Sequence, residues 1–202
     1  MTGGGAPWVG ADPGGEGNFG IAILTDSHEP QTLSVDCADE ALAFVRAHLD
    51  RMPAGVGVDA PLWWSSGRSG DRSADQWLRQ RYGLPGGEVQ AANSLRGAAL
   101  TQGAMFVQRM REIYPAVPVT ESHPKALLKA LTQGNWKAFA GRFGLNTAIS
   151  NDHERDALIA AVSAREGFQG RWPHDLSIKR LPAEQDPSSY WLAPIHYFWP
   201  EQ

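Results

Sequence analysis

The chain has 202 residues, of which 42% are hydrophobic and 20% charged, enough apolar content to bury a core and too much for a disordered chain. Its length fits one domain, and its formal net charge of -4 counts against a tight non-specific DNA binder, while leaving room for a local basic patch. A single cysteine, Cys37, rules out an intramolecular disulfide and predicts a small packed thiol in a reducing cytoplasm.

The opening MTGGGAPW has no basic segment followed by an apolar run, so no secretory signal is expected. No stretch reaches the roughly 20 apolar residues of a membrane helix. PWVGADPG then predicts a first short strand that stops at Asp12 before a Pro-Gly-Gly turn. FGIAILTD and QTLSVDC predict a second and third strand, and the Gly-rich or polar breaks between the three predict an antiparallel meander.

DEALAFVRAHLDRM places Ala41, Leu42, Phe44, Val45 and Leu49 at helical spacing, with Asp39 as the predicted N-cap. AGVGVDAPL reads as a buried strand ending at Asp59. A strand after a helix implies a crossover to a parallel neighbour. The stretch from Trp63 to Gly97 is rich in Gly, Ser, Arg and Asp and reads as an insertion of loops carrying one short helix, SADQWLRQRYG.

ALTQGAMFVQRMREIY predicts a second long helix, and AVPVTESHP a fifth strand ending at Glu121. Two helical pieces follow, PKALLKALTQ and NWKAFAGRFG. NDHERDALIAAVSAREGF has the clearest helical pattern in the chain, with Asn151 or Asp152 at its cap. The aromatic tail SSYWLAPIHYFWP is expected to pack back as an edge segment. Three antiparallel strands, then helix, strand, helix, strand and helices match the ribonuclease H-like order: an α/β fold with a five-stranded mixed sheet flanked by helices.

Asp12, Asp59 and Glu121 share one property, since each follows a predicted apolar strand, where open α/β sheets hold their ligands. Asp156 falls in the first turns of the strongest helix, beside His153 and Glu154. Crowded carboxylates either raise their pKa values or take up a cation, and an all-oxygen site suits Mg²⁺ or Mn²⁺. Such ions support phosphodiester cleavage, whereas no GxSxG motif speaks for a nucleophilic serine. Three of the acids and His153 also have a plain structural reading, whereas Asp156, on an otherwise apolar helix face, is less easily explained so. Asp12 and Asp59 could form turns, Glu121 could pair with Lys125, and His153 could be a solvated first-turn residue.

The segments WVGADPGGEGNFGIAIL, GVDAPL, SADQWLRQRYG, EVQAANS, VTESHPKALL and HERDALIAAVSA resemble the family called "domain of unknown function 429", regarded as predicted nucleases of the ribonuclease H-like superfamily. The first segment is also similar to Holliday-junction resolvases, which carry Asp-Pro-Gly after the first strand and, in some members, His-x-x-Asp on a late helix. The resemblance implies Asp12 as a central metal bridge, Asp59 as the second acid and Asp156 completing the site, with His153 or Asp152 beside it. Glu121 fits the Glu-x-x-Pro motif as Glu121-Ser122-His123-Pro124. A resolvase usually has Glu where this chain has Asp59.

In the insertion, Arg68, Arg72, Asp75, Arg79 and Arg81 cluster with Asn93. One reading is an exposed helix in which Asp75 pairs with Arg79 at i, i+4. The other places Arg72, Arg79, Asn93 and Lys125 on substrate phosphates. Trp63 and Trp64 are expected to pack under the insertion, with stacking on a base as the alternative. Taken together, the sequence predicts a cytoplasmic, metal-dependent nuclease with a nucleic-acid partner and no membrane association. A non-catalytic binding protein and an actin-like nucleotide-dependent phosphotransferase are the competing readings. Oligomeric state stays open, with a homodimer as the assembly considered.

Overall fold

The computed structural model of the protein describes residues 5–26 and 29–200; residues 1–4, where no targeting signal is expected, lie outside them. Five strands form one mixed sheet: β1 Trp8–Asp12, β2 Phe19–Leu24, β3 Gln31–Val35, β4 Gly55–Val58 and β5 Val119–Glu121, in the order β3-β2-β1-β4-β5. β1 pairs antiparallel with β2, and β2 with β3, whereas β4 and β5 run parallel to β1. The three-plus-two pattern read from the sequence is therefore present.

Six α-helices flank the sheet: α1 Ala38–His48, α2 Ser73–Tyr82, α3 Gly97–Ile113, α4 Pro124–Thr132, α5 Trp136–Phe143 and α6 Asp152–Phe168. α1 and α3 pack against each other and on the β1–β2 face, with Phe106 meeting Phe19 edge-on. α6 covers the opposite face, seated on β1, β2 and β4. The physical reason is a track of strand glycines. A Cβ added at Gly10 would strike Ala157 O and Ala161 N, one at Gly20 would strike His153 O, and one at Gly57 would strike Ala160 O. With no side chain at these positions, the helix backbone rests directly on the strands.

Three local expectations change. α1 is N-capped by Cys37, not Asp39, because Ala38 N–H is taken by Gln102 Oε1 on α3 at 2.9 Å. Asp39 instead falls in the first turn, where its charge favours the helix N-terminus. The tail reaches the β5 edge through His196, which makes a parallel bridge to Thr120, and through Phe198 N–H, which donates to Thr120 Oγ1 at 3.2 Å. Beyond His196, β7 Phe198–Trp199 pairs with β6 His174–Asp175 in a separate two-stranded ribbon. The insertion is docked rather than loose: Ser65 bridges to Glu184, and Gln185 N–H donates to Trp64 O at 2.8 Å. Among the described residues no helix is long and apolar enough to cross a membrane.

Candidate metal centre

Parallel pairing brings the first two acids together. Ala11 and Val58 are register partners, and Asp59 N–H donates to Ala11 O at 2.8 Å, so Asp12 and Asp59 leave adjacent strands side by side. α6 supplies the rest. Its cap, Asn151, accepts from Glu154 N–H, which fixes the start of the helix. His153 and Asp156, three apart, then share the face turned to the strand ends. His153 Nδ1 lies 2.7 Å from Asp12 Oδ2. Glu154 turns away instead, accepting from Thr32 Oγ1 on β3 at 2.8 Å.

The electrostatics record the crowding. Burial pushes Asp12 above the usual carboxylate range, partly offset by His153. Asp59 is held well above it by burial and by the charges of Asp12 and Asp156. Asp156 is pushed up to about 6, mainly by burial, with Arg155 opposing. Hydrogen bonding to Asp12 raises His153. Lys125 lowers all three acids, so its ammonium lies within electrostatic reach of the whole cluster.

Of the remaining predicted residues, Glu121 and Arg72 line the same cleft but are engaged with each other, whereas Arg79 and Asn93 are not among its lining residues. Glu121 ends β5 as expected, yet its carboxylate is engaged by Arg72 at 2.7 and 2.6 Å and by Leu62 N–H at 2.9 Å. Its partner is Arg72, not Lys125. Arg72, expected on a phosphate, is only 1% exposed. Its guanidinium binds Asp75 and Glu121 and stacks 4.2 Å from the Trp63 ring centroid. Asp75 is thereby taken from Arg79, which pairs with Asp71 and donates to Val89 O. Asn93 is exposed and outside the cleft lining. Trp63 is a buried packing residue whose Nε1 donates to Glu184, while Trp64 is 41% exposed and does not line the cleft.

Asp12, Asp59, His153 and Lys125 line a cleft of about 680 Å³, with Asp156 buried behind them. The sequence reading missed Arg96, which lines the same cleft from the residue before α3. An arginine at the end of a Gly/Ser-rich insertion was its only signal. The donor set fits a hard divalent cation in kind, with carboxylate oxygens and more negative than positive charge. It is not pre-arranged: among the described residues no group of three or more His, Cys, Asp or Glu is positioned to hold a metal ion. His153 occupies one oxygen of Asp12, and Arg155 grips Asp156 Oδ1 at 2.9 Å. Comparison with known proteins adds no assignment, since no protein-family model, curated protein or solved structure matches the chain.

The raised Asp156 pKa carries a pH dependence of known sign. A buried acid titrating near 6 when folded and near 3.9 when unfolded binds more protons in the native state between those values. Its contribution to stability therefore falls as pH rises from about 4 to about 6. In urea melts of metal-free protein, Asp156→Asn is expected to flatten this fall. An unchanged pH profile in the variant would contradict the assignment.

Proposed function

We propose that the protein is a divalent-metal-dependent phosphodiester hydrolase, a nuclease of the ribonuclease H-like kind similar to the "domain of unknown function 429" family. The observation that carries this reading is Asp59. Its carboxylate has no hydrogen-bond partner among the described residues, and the charges of three further acids, Asp12, Asp156 and Glu121, act on it. Such a group is costly at neutral pH unless a proton or a cation joins it.

Asp12, Asp59 and Asp156 would hold Mg²⁺ or Mn²⁺, with His153 at its side. A bound ion of this kind supplies charge neutralisation at a phosphoryl group and an acidified water. The chain's own residues do the rest. Lys125 offsets phosphate charge at the cleft mouth. His153, held by Asp12, keeps a proton beside the acids. The lone, half-buried Cys37 suits the reducing cytoplasm.

Mn²⁺-dependent cleavage of a phosphodiester panel is expected in the wild type and is expected to drop at least a hundredfold in Asp12→Asn and Asp59→Asn. A metal-dependent activity that survives both substitutions would overturn the reading. One observation favours a non-catalytic binding protein instead: His153 and Arg155 already satisfy part of the acid cluster. For that reading, ligand binding without turnover in Mn²⁺ is the expected result.

A further inference from the structure

The cleft differs from a polynucleotide groove in what lines it. No phenylalanine, tyrosine or tryptophan is among its lining residues, whereas proteins that hold single strands stack bases on aromatic rings. Its volume, about 680 Å³, is that of a small-molecule site. Gly87, Gln90 and Leu95 of the insertion wall one side and the N-terminal turn of α3 another, so the acids lie in a recess and not on an open face.

The charges are equally local. Arg72 is spent on Asp75 and Glu121. His123 is held neutral, with burial lowering its pKa to about 4. Arg96 and Lys125 are exposed at the cleft and have no side-chain partner among the described residues. Two cations without a hydrogen-bonded partner among the described residues match one or two phosphates. Duplex binding, by contrast, requires a wide and strongly positive surface, and this chain carries a net charge of -4.

Resting on the hydrolase reading above, we propose that the substrate is a short phosphodiester of about dinucleotide size, held through its phosphates by Arg96 and Lys125 rather than through stacked bases or a duplex. Both residues are exposed, so their substitution spares the fold.

The test uses the full chain in Mn²⁺ with three substrates: a dinucleotide, a 30-mer single strand and a 30-base-pair duplex. Binding is followed in parallel by calorimetry in Ca²⁺. The dinucleotide is expected to give the highest kcat/KM, by tenfold or more. Arg96→Ala is expected to raise its KM and Kd about tenfold with kcat little changed, and Lys125→Ala to raise both and also lower kcat, because Lys125 acts on the acid cluster as well. Equal or better kcat/KM on the 30-mers overturns the inference while leaving the hydrolase reading intact. Dinucleotide turnover that is insensitive to both substitutions overturns the assigned contacts. If Mn²⁺ neither binds nor supports turnover of any of the three, the hydrolase reading falls and takes the inference with it.

Discussion

Arg72→Ala is expected to cost about 3–5 kcal/mol, the usual penalty for removing one partner of a buried ion pair. The side chain is 1% exposed and its guanidinium donates four hydrogen bonds, at 2.6 and 2.7 Å to Glu121 and at 2.9 and 2.8 Å to Asp75. Without it, two carboxylates are buried with no countercharge. Glu121 already titrates above its ordinary value because of burial, with Arg72 as the main opposing influence. Losing the arginine raises it further, so the penalty grows as pH rises through the range above the unfolded Glu value of about 4.3. Urea melts at pH 4 and pH 7.5 check this, with a smaller deficit expected at pH 4. A triple variant, Arg72→Met with Asp75→Leu and Glu121→Met, should recover most of the stability, because no charge is then left buried. A mild, pH-independent effect of Arg72→Ala would show that the network is not what ties the insertion to β5.

Gly57→Ala is the second large effect. The added Cβ would overlap Ala160 O and sit 2.6 Å from Ala160 C. Both are helix backbone, which cannot rotate aside. α6 must lift from β4, at a cost of about 3 kcal/mol or more, the upper end of overpacking penalties. The same lift moves Asp156 away from Asp59, so stabilisation by Mn²⁺ should be lost along with thermal stability. Gly141→Ala in α5 is the control. Nothing lies within 4 Å of its added Cβ, and a helix-interior alanine gains about 0.5–1 kcal/mol over glycine. Equal behaviour of the two variants in thermal melts would refute the glycine track as the seat of α6.

These two positions also mark where sequence and structure part. Strand and helix periods made the order β1 to β5 legible, and the acids after β1 and β4 were legible because turn residues follow them at once. The pairing of Arg72 with Glu121 was not, since 49 positions separate them and the arginine stands in a stretch of Ser, Asp and Gly that reads as solvated. Gly10, Gly20 and Gly57 carry no local signal of what packs on them. Their meaning needs the path of α6, which no local pattern encodes. Cys37 as the α1 cap was hidden for a similar reason: Asp36, the better capping residue, accepts from Gly17 N–H at 2.7 Å.

Oxygen donors from β1, the end of β4 and α6 meeting at one cation are the centre of the proposed chemistry. Crystals soaked in Mn²⁺ and measured for anomalous scattering test this directly. A peak between the carboxylates of Asp12, Asp59 and Asp156 is expected, with His153 or Arg155 displaced from its present oxygen. Manganese bound elsewhere, or none at this position with His153 still on Asp12 and Arg155 still on Asp156, would contradict it.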